Sequence, residues 1–94
     1  MQHDGIKRVT FAGADEIAEI AYITLQETTI ELIAVVDGER SGELFFGRTI
    51  KPLQAVKDMN YDSIVVTSYL KRKVIYQELI QSKVDKKDIQ IIFT

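Results

Sequence analysis

Ninety-four residues, 46% hydrophobic and 28% charged, make one globular domain with room for four or five strands and their helices. Twelve Lys and Arg against 14 Asp and Glu leave a net charge of -2, and no stretch gathers a basic stripe, which argues against nucleic-acid binding by this domain alone. The chain has no cysteine, so disulfides, thiolate metal sites and cysteine nucleophiles are excluded.

Residues 1–7 read as a polar lead-in, in part a cloning remnant. It holds the one histidine, His3, which has no partner set around it and is expected in a solvent-exposed tail. The opening is no signal peptide, and no apolar run reaches the ~18 residues of a membrane span, so the expected location is the cytoplasm. Residues 8–94 form a single domain, whose edges suggest excision from a longer protein. A first strand is expected at Arg8 to Ala12, broken by Gly13, and a first helix from about Asp15 to Glu27. The helix should bury Ile17, Ile20, Ala21 and Thr24, with Ala18, Tyr22 and Leu25 widening that face. The second strand, Glu31 to Val36, is a near-continuous apolar run of the kind buried on both faces.

After a polar, glycine-punctuated loop at Asp37 to Gly42, residues Arg48-Thr49-Ile50 suggest a short third strand. Pro52 precedes a short helix at about Leu53 to Met59. The fourth strand, Ser63 to Thr67, is again doubly buried. A helix from about Leu70 to Ser82 should bury Val74, Ile75 and Leu79, and the fifth strand is Ile89 to Phe93. This alternation predicts an α/β fold: a Rossmann-like three-layer α/β/α domain with a parallel sheet of about five strands, order 3-2-1-4-5.

The chemistry concentrates in the first βαβ unit. A glycine turn from strand to helix, followed by an acid after the next strand, is the layout that seats a pyrophosphate on a helix N-terminus and a ribose on a carboxylate. The fingerprint is G-x-G-x-x-G or G-x-G-x-x-A, and this chain has Gly13-Ala14-Asp15-Glu16-Ile17-Ala18. The first glycine and the small last residue are kept. Asp15 stands where backbone should approach phosphate, and with Glu16 it brings negative charge there. Both acids also have a capping explanation in the first helical turn. Asp37 lies within a few positions of the ~20 expected between the glycine turn and the ribose acid, and an acid there disfavours a 2′-phosphate. Asp37-Gly38 is also an ordinary Asp-Gly turn.

Thr67 and Ser68 follow the fourth strand at the carboxyl edge, where their hydroxyls could meet a ribose or phosphate, or Ser68 could cap the next helix. The candidate binding set is therefore Gly13, Ala14, Asp15, Glu16, Asp37, Gly38, Thr67 and Ser68, with NAD or another adenosine-type nucleotide as cofactor, bound weakly or not at all. Tyr69 and Lys73 share the Tyr-x-x-x-Lys spacing of short-chain dehydrogenases, without the strands and substrate loop such catalysis uses. No nucleophile, metal cluster or complete catalytic set is evident, so no enzyme activity is expected. Of Phe45 and Phe46, one should cover the sheet edge and the other is a candidate contact for another domain or subunit.

The run Arg8 to Tyr22, then Val35-Val36-Asp37 and Phe46-Gly47-Arg48, resembles the small Rossmann-like domain carried C-terminally by some bacterial winged-helix, MarR-like transcriptional regulators. More distantly, it is similar to the N-terminal domains of sialic-acid-type sugar acetyltransferases and of nucleotide-sugar dehydratases of polysaccharide synthesis. Where the family usually reads G-A-G-E, this chain reads Gly13-Ala14-Asp15-Glu16. The resemblance implies a regulatory or ligand-sensing domain with a degenerate nucleotide site, reaching DNA only through a winged helix outside this chain. Its alternatives are a sugar-nucleotide-binding module of an envelope carbohydrate enzyme and a ligand-free scaffold that forms a homodimer.

Overall fold

The computed structural model describes residues 7–91; residues 1–6 of the lead-in, with His3, and the expected end of the last strand, residues 92–93, lie outside it. Four strands, β1 (Arg8–Ala12), β2 (Glu31–Val36), β5 (Ser63–Val66) and β6 (Ile89–Ile91), form one parallel sheet in the order β2-β1-β5-β6. The remaining two, β3 (Leu44–Phe45) and β4 (Arg48–Thr49), pair with each other in an antiparallel hairpin. The expected third strand does not join the sheet. Residues 48–50 turn back on the hairpin, and the segment bridges to β2 at Lys51, through Lys51 N–H to the Val35 carbonyl at 3.0 Å and Asp37 N–H to the Lys51 carbonyl at 2.9 Å. Pro52 follows at once and has no N–H with which to extend a ladder.

The sheet is covered on both faces. Helix α1 (Glu16–Leu25), the turn before it and the hairpin pack on one side through Ala14, Ala18, Leu25 and Phe45 against Val9, Phe11, Leu32, Val35 and Val65. Helix α2 (Arg72–Gln81) and the 3-10 helix Leu53–Asp58 cover the other, where Leu53, Val56, Ile75 and Leu79 meet Ala12, Val36, Ile64 and Val66. A bulge in β2 shifts the register, so that Val9 pairs with Leu32 but Thr10 with Ala34. Without it, Leu32 and Val35, three residues apart, would face opposite sides of the sheet. With it, both enter the α1 core.

Two helix faces differ from expectation. In α1 the buried residues are Ala18 and Leu25, with Ala21 and Tyr22 partly buried, whereas Ile20 is 62% and Ile23 60% exposed. The alanine stripe faces the sheet because small side chains let the helix backbone approach it. In α2, Ile75 and Leu79 are buried, but Val74 points outward, 60% exposed. The residues before α2, expected as helix from Leu70, form a turn instead, and the helix starts at Arg72.

Candidate functional site

The β1–α1 turn needs its glycine. Gly13 has φ of +112°, and a Cβ there would sit 2.7 Å from Ser68 Cβ and 3.2 Å from Ile75 Cδ1. Its N–H donates to the Val36 carbonyl at 2.8 Å, and its own carbonyl accepts the Thr67 hydroxyl at 2.6 Å. Gly13 thereby ties the carboxyl ends of β1, β2 and β5 together. This is the point where open α/β sheets form their ligand crevice.

Asp37 is buried immediately after β2, and its carboxylate is fully engaged by the chain itself. Oδ2 accepts the Ala14 N–H at 2.9 Å, and Oδ1 accepts the Glu39 N–H at 2.9 Å. The Lys71 ammonium lies 3.3 Å from Oδ1 and 3.2 Å from Oδ2, and reaches Glu39 Oε1 at 3.3 Å. Burial pushes the Asp37 carboxyl pKa up, but the two amide donors and the lysine outweigh it and hold it below the ordinary 3.8. Burial likewise pulls Lys71 down, and its bonds to Asp37 and Glu39 more than reverse that, leaving it above 10.5.

Asp15 is the N-cap of α1, its Oδ1 accepting the Ile17 N–H at 3.2 Å. A carboxylate of the protein thus sits on the helix amides that a phosphate would use. Glu16 is exposed in the first turn. Of the candidate residues, Gly13 is bonded to Thr67 and Ala14 to Asp37, while Asp15 caps α1 in the same turn. Ser68 does not cap α2: its Oγ accepts the Lys71 N–H at 3.3 Å and holds the preceding turn, while the N-cap position is Lys71. Gly38 is exposed, with nothing within 4 Å of a Cβ placed on it, so neither close approach nor special backbone requires it. The Asx turn from Asp37 to Glu39 accounts for the bend there.

Lys71 is the residue that sequence reasoning missed. It was visible only as part of the short run Lys71-Arg72-Lys73, and its partner lies 34 positions away. The Arg72 guanidinium sits 4.1 Å above the Tyr69 ring, and Lys73 is exposed. At the mouth of the crevice, an open cleft of about 620 Å³ is lined by Asp15, Glu16, Ile17, Glu19, Arg40, Tyr69 and Leu70. Three carboxylates against one guanidinium make it inhospitable to a polyanion. Among the described residues, no buried side-chain nitrogen or oxygen lacks a hydrogen-bond partner, and no group of three or more His, Asp or Glu could hold a metal ion. No helix of the described residues is long and apolar enough to cross a membrane.

These features define a parallel α/β domain with a glycine turn at the crevice and a carboxylate–lysine lock across it. The chain matches the C2185-like, N-terminal family over residues 5–90 and belongs to that family. No curated protein matches it significantly.

Proposed function

We propose that this is a non-catalytic regulatory domain of Rossmann-like architecture, whose nucleotide seat has been taken over by its own carboxylates. One contact carries the proposal: Asp37, at the position of a ribose-binding acid, accepts the Ala14 N–H of the glycine turn instead. A ribose hydroxyl would have to displace that amide or Lys71 from a buried carboxylate, and a pyrophosphate would have to displace Asp15 from the α1 amides. Both exchanges cost an existing charge-assisted bond. Attachment to a winged-helix regulator rests on the sequence resemblance. In that setting the domain acts by favouring one arrangement of its neighbour over another.

The second reading is a module of an envelope carbohydrate enzyme. It gains support from the family description, which names an N-terminal region, as do the acetyltransferases and dehydratases to which the sequence bears a more distant likeness.

NMR titration with NAD, NADP and AMP tests the degenerate seat. Wild type should show millimolar binding or none. Asp15→Gly should bind NAD more tightly and still prefer it to NADP, because Asp37 would face a 2′-phosphate. Micromolar NAD binding by wild type, with shifts at 13–16, would replace this reading with a working nucleotide site. Stronger binding of NADP than NAD would remove the part given to Asp37.

A further inference from the structure

The parallel sheet ends in two unlike edges. At β2 the outer edge is broken by the bulge between Leu32 and Ala34, bridged by Lys51 and closed by Pro52. Such devices discourage further pairing. Strand β6 runs in unbroken register with β5, Ile64 opposite Ile89 and Val66 opposite Ile91, and among the described residues no strand pairs with its other side. From Ile89 to Phe93 the sequence has no charge, proline or glycine to blunt that edge. Successive strand amides point to opposite edges, so one of the Gln90 and Ile91 N–H groups is aimed outward.

A groove borders this edge on the α2 side. Its volume is about 330 Å³, and it is lined by Arg72, Lys73, Tyr76, Gln77 and Ile91, the last 40% exposed. Two cations stand in it and no carboxylate. Lys73 is in no ion pair among the described residues, and Arg72 commits one N–H to the Tyr69 carbonyl at 2.6 Å while carrying further donors. The acids of the neighbouring segments are placed elsewhere. Glu78 lines a separate cleft with Lys57, and Asp15, Glu16 and Glu19 line the one at the crevice mouth. Asp88 and Asp85 face Tyr61, whose pKa is raised by burial and by these two charges. We propose that the outer edge of β6 accepts an extended acidic peptide of a partner protein as a further strand of the sheet, seating an apolar side chain in the groove and Asp or Glu side chains on Arg72 and Lys73. Backbone and charge select this occupant together. A second copy has no acid within its own β6, and residues 85–88 before it balance two aspartates with two lysines, so it would not complement the groove.

The test is an NMR titration of the full chain with a short alternating valine–glutamate peptide. Two controls accompany it: a valine–lysine peptide of the same pattern, and the glutamate peptide N-methylated along its backbone. The glutamate peptide should bind saturably, with shifts concentrated at 72–77 and 89–91, and weaken with salt. The lysine peptide should bind about tenfold more weakly, and N-methylation, which removes the donors an added strand needs, should abolish binding. Lys73→Glu should weaken the glutamate peptide about tenfold and improve the lysine one, with the fold kept. Equal binding of both charged peptides, indifference to N-methylation, or shifts centred on α1 would overturn the proposal. So would protection of both the Gln90 and Ile91 amides from hydrogen exchange in the free chain, since the edge would then be covered already. Self-association of the chain through β6 would overturn it as well, in favour of a second copy.

Discussion

Asp37 illustrates how one side chain can be claimed by the fold at a position usually given to a ligand. Its folded pKa lies below the ordinary 3.8, so its contribution to stability is present above that value and is lost as pH falls through the lowered one. Lys71 has the opposite sign: its contribution is full below 10.5 and is lost as pH rises through its raised value. Asp62, held down by the Lys7 and Arg8 amides, adds to the acid limb. Asp37→Asn should therefore cost about 2–3 kcal/mol at neutral pH, because it removes the charge while leaving Lys71 and two amides to a weaker acceptor. Urea unfolding at stepped pH should also show a flatter acid limb for the variant; an unchanged limb would mean the lock is not what fails in acid. A second residue invites the opposite result. Lys83 follows α2 with φ of +66°, and Val84 N–H closes the helix end on the Leu79 carbonyl at 3.1 Å. Glycine is the residue this left-handed cap prefers, so Lys83→Gly should stabilise the domain by about 0.5–1 kcal/mol in the same unfolding assay.

The elements were unevenly legible in the sequence, and the unevenness has physical causes. Strands β1 and β2 occupy the expected Arg8–Ala12 and Glu31–Val36, because apolar runs closed by Gly13 and Asp37 carry both pattern and punctuation. Helix α1 begins beside its expected start because Asp15 is a strong cap. Its buried face was legible in part: Ala18, Ala21, Tyr22 and Leu25 pack inward as expected, whereas Ile20 and Thr24 face solvent. Close packing on the sheet favours the small Ala18 and Ala21 over the bulkier Ile20. The hairpin was unreadable as such because Phe46-Gly47 lacks the usual Asn-Gly signal. Of the site, the positions of Gly13, Asp15 and Asp37 were visible as spacing. The bonds of Asp37 to the Ala14 amide and of Gly13 to Thr67, and the lysine that meets Asp37, were not, because they depend on contacts between distant segments. The β1–α1 connection is also where a single methyl group should do most harm. Gly13→Ala adds a Cβ 2.7 Å from Ser68 Cβ at a φ of +112°. Strain and overpacking together should cost about 2–5 kcal/mol. A thermal shift within experimental error for this variant would show that the β1 and β5 ends can part without penalty.

The whole molecule places unlike surfaces on its two sides. Helix α1, which opens with Glu16 and Glu19, covers one face of the sheet, and α2, which opens with Lys71, Arg72 and Lys73, covers the other. Of those three cations, Lys71 is bound to Asp37 and Glu39, and Arg72 donates to the Tyr69 carbonyl at 2.6 Å while stacking on its ring. The basic cluster that composition suggests is thus partly spent on the fold, and Lys73 alone remains exposed with little company. Duplex DNA binding draws its non-specific affinity from the number of phosphates that cations neutralise, each releasing a counterion. With a net charge of -2 and no cationic face, this chain can neutralise few. Fluorescence anisotropy with a labelled duplex at physiological salt should give no binding in the micromolar range, and lowering the salt should produce only a shallow gain. A steep salt dependence, with affinity lost in Lys73→Glu, would reveal a phosphate-binding surface around α2. In a larger regulator, DNA contact would then no longer need to come from a separate winged helix, and the regulatory part proposed for this domain would have to be shared with a direct one.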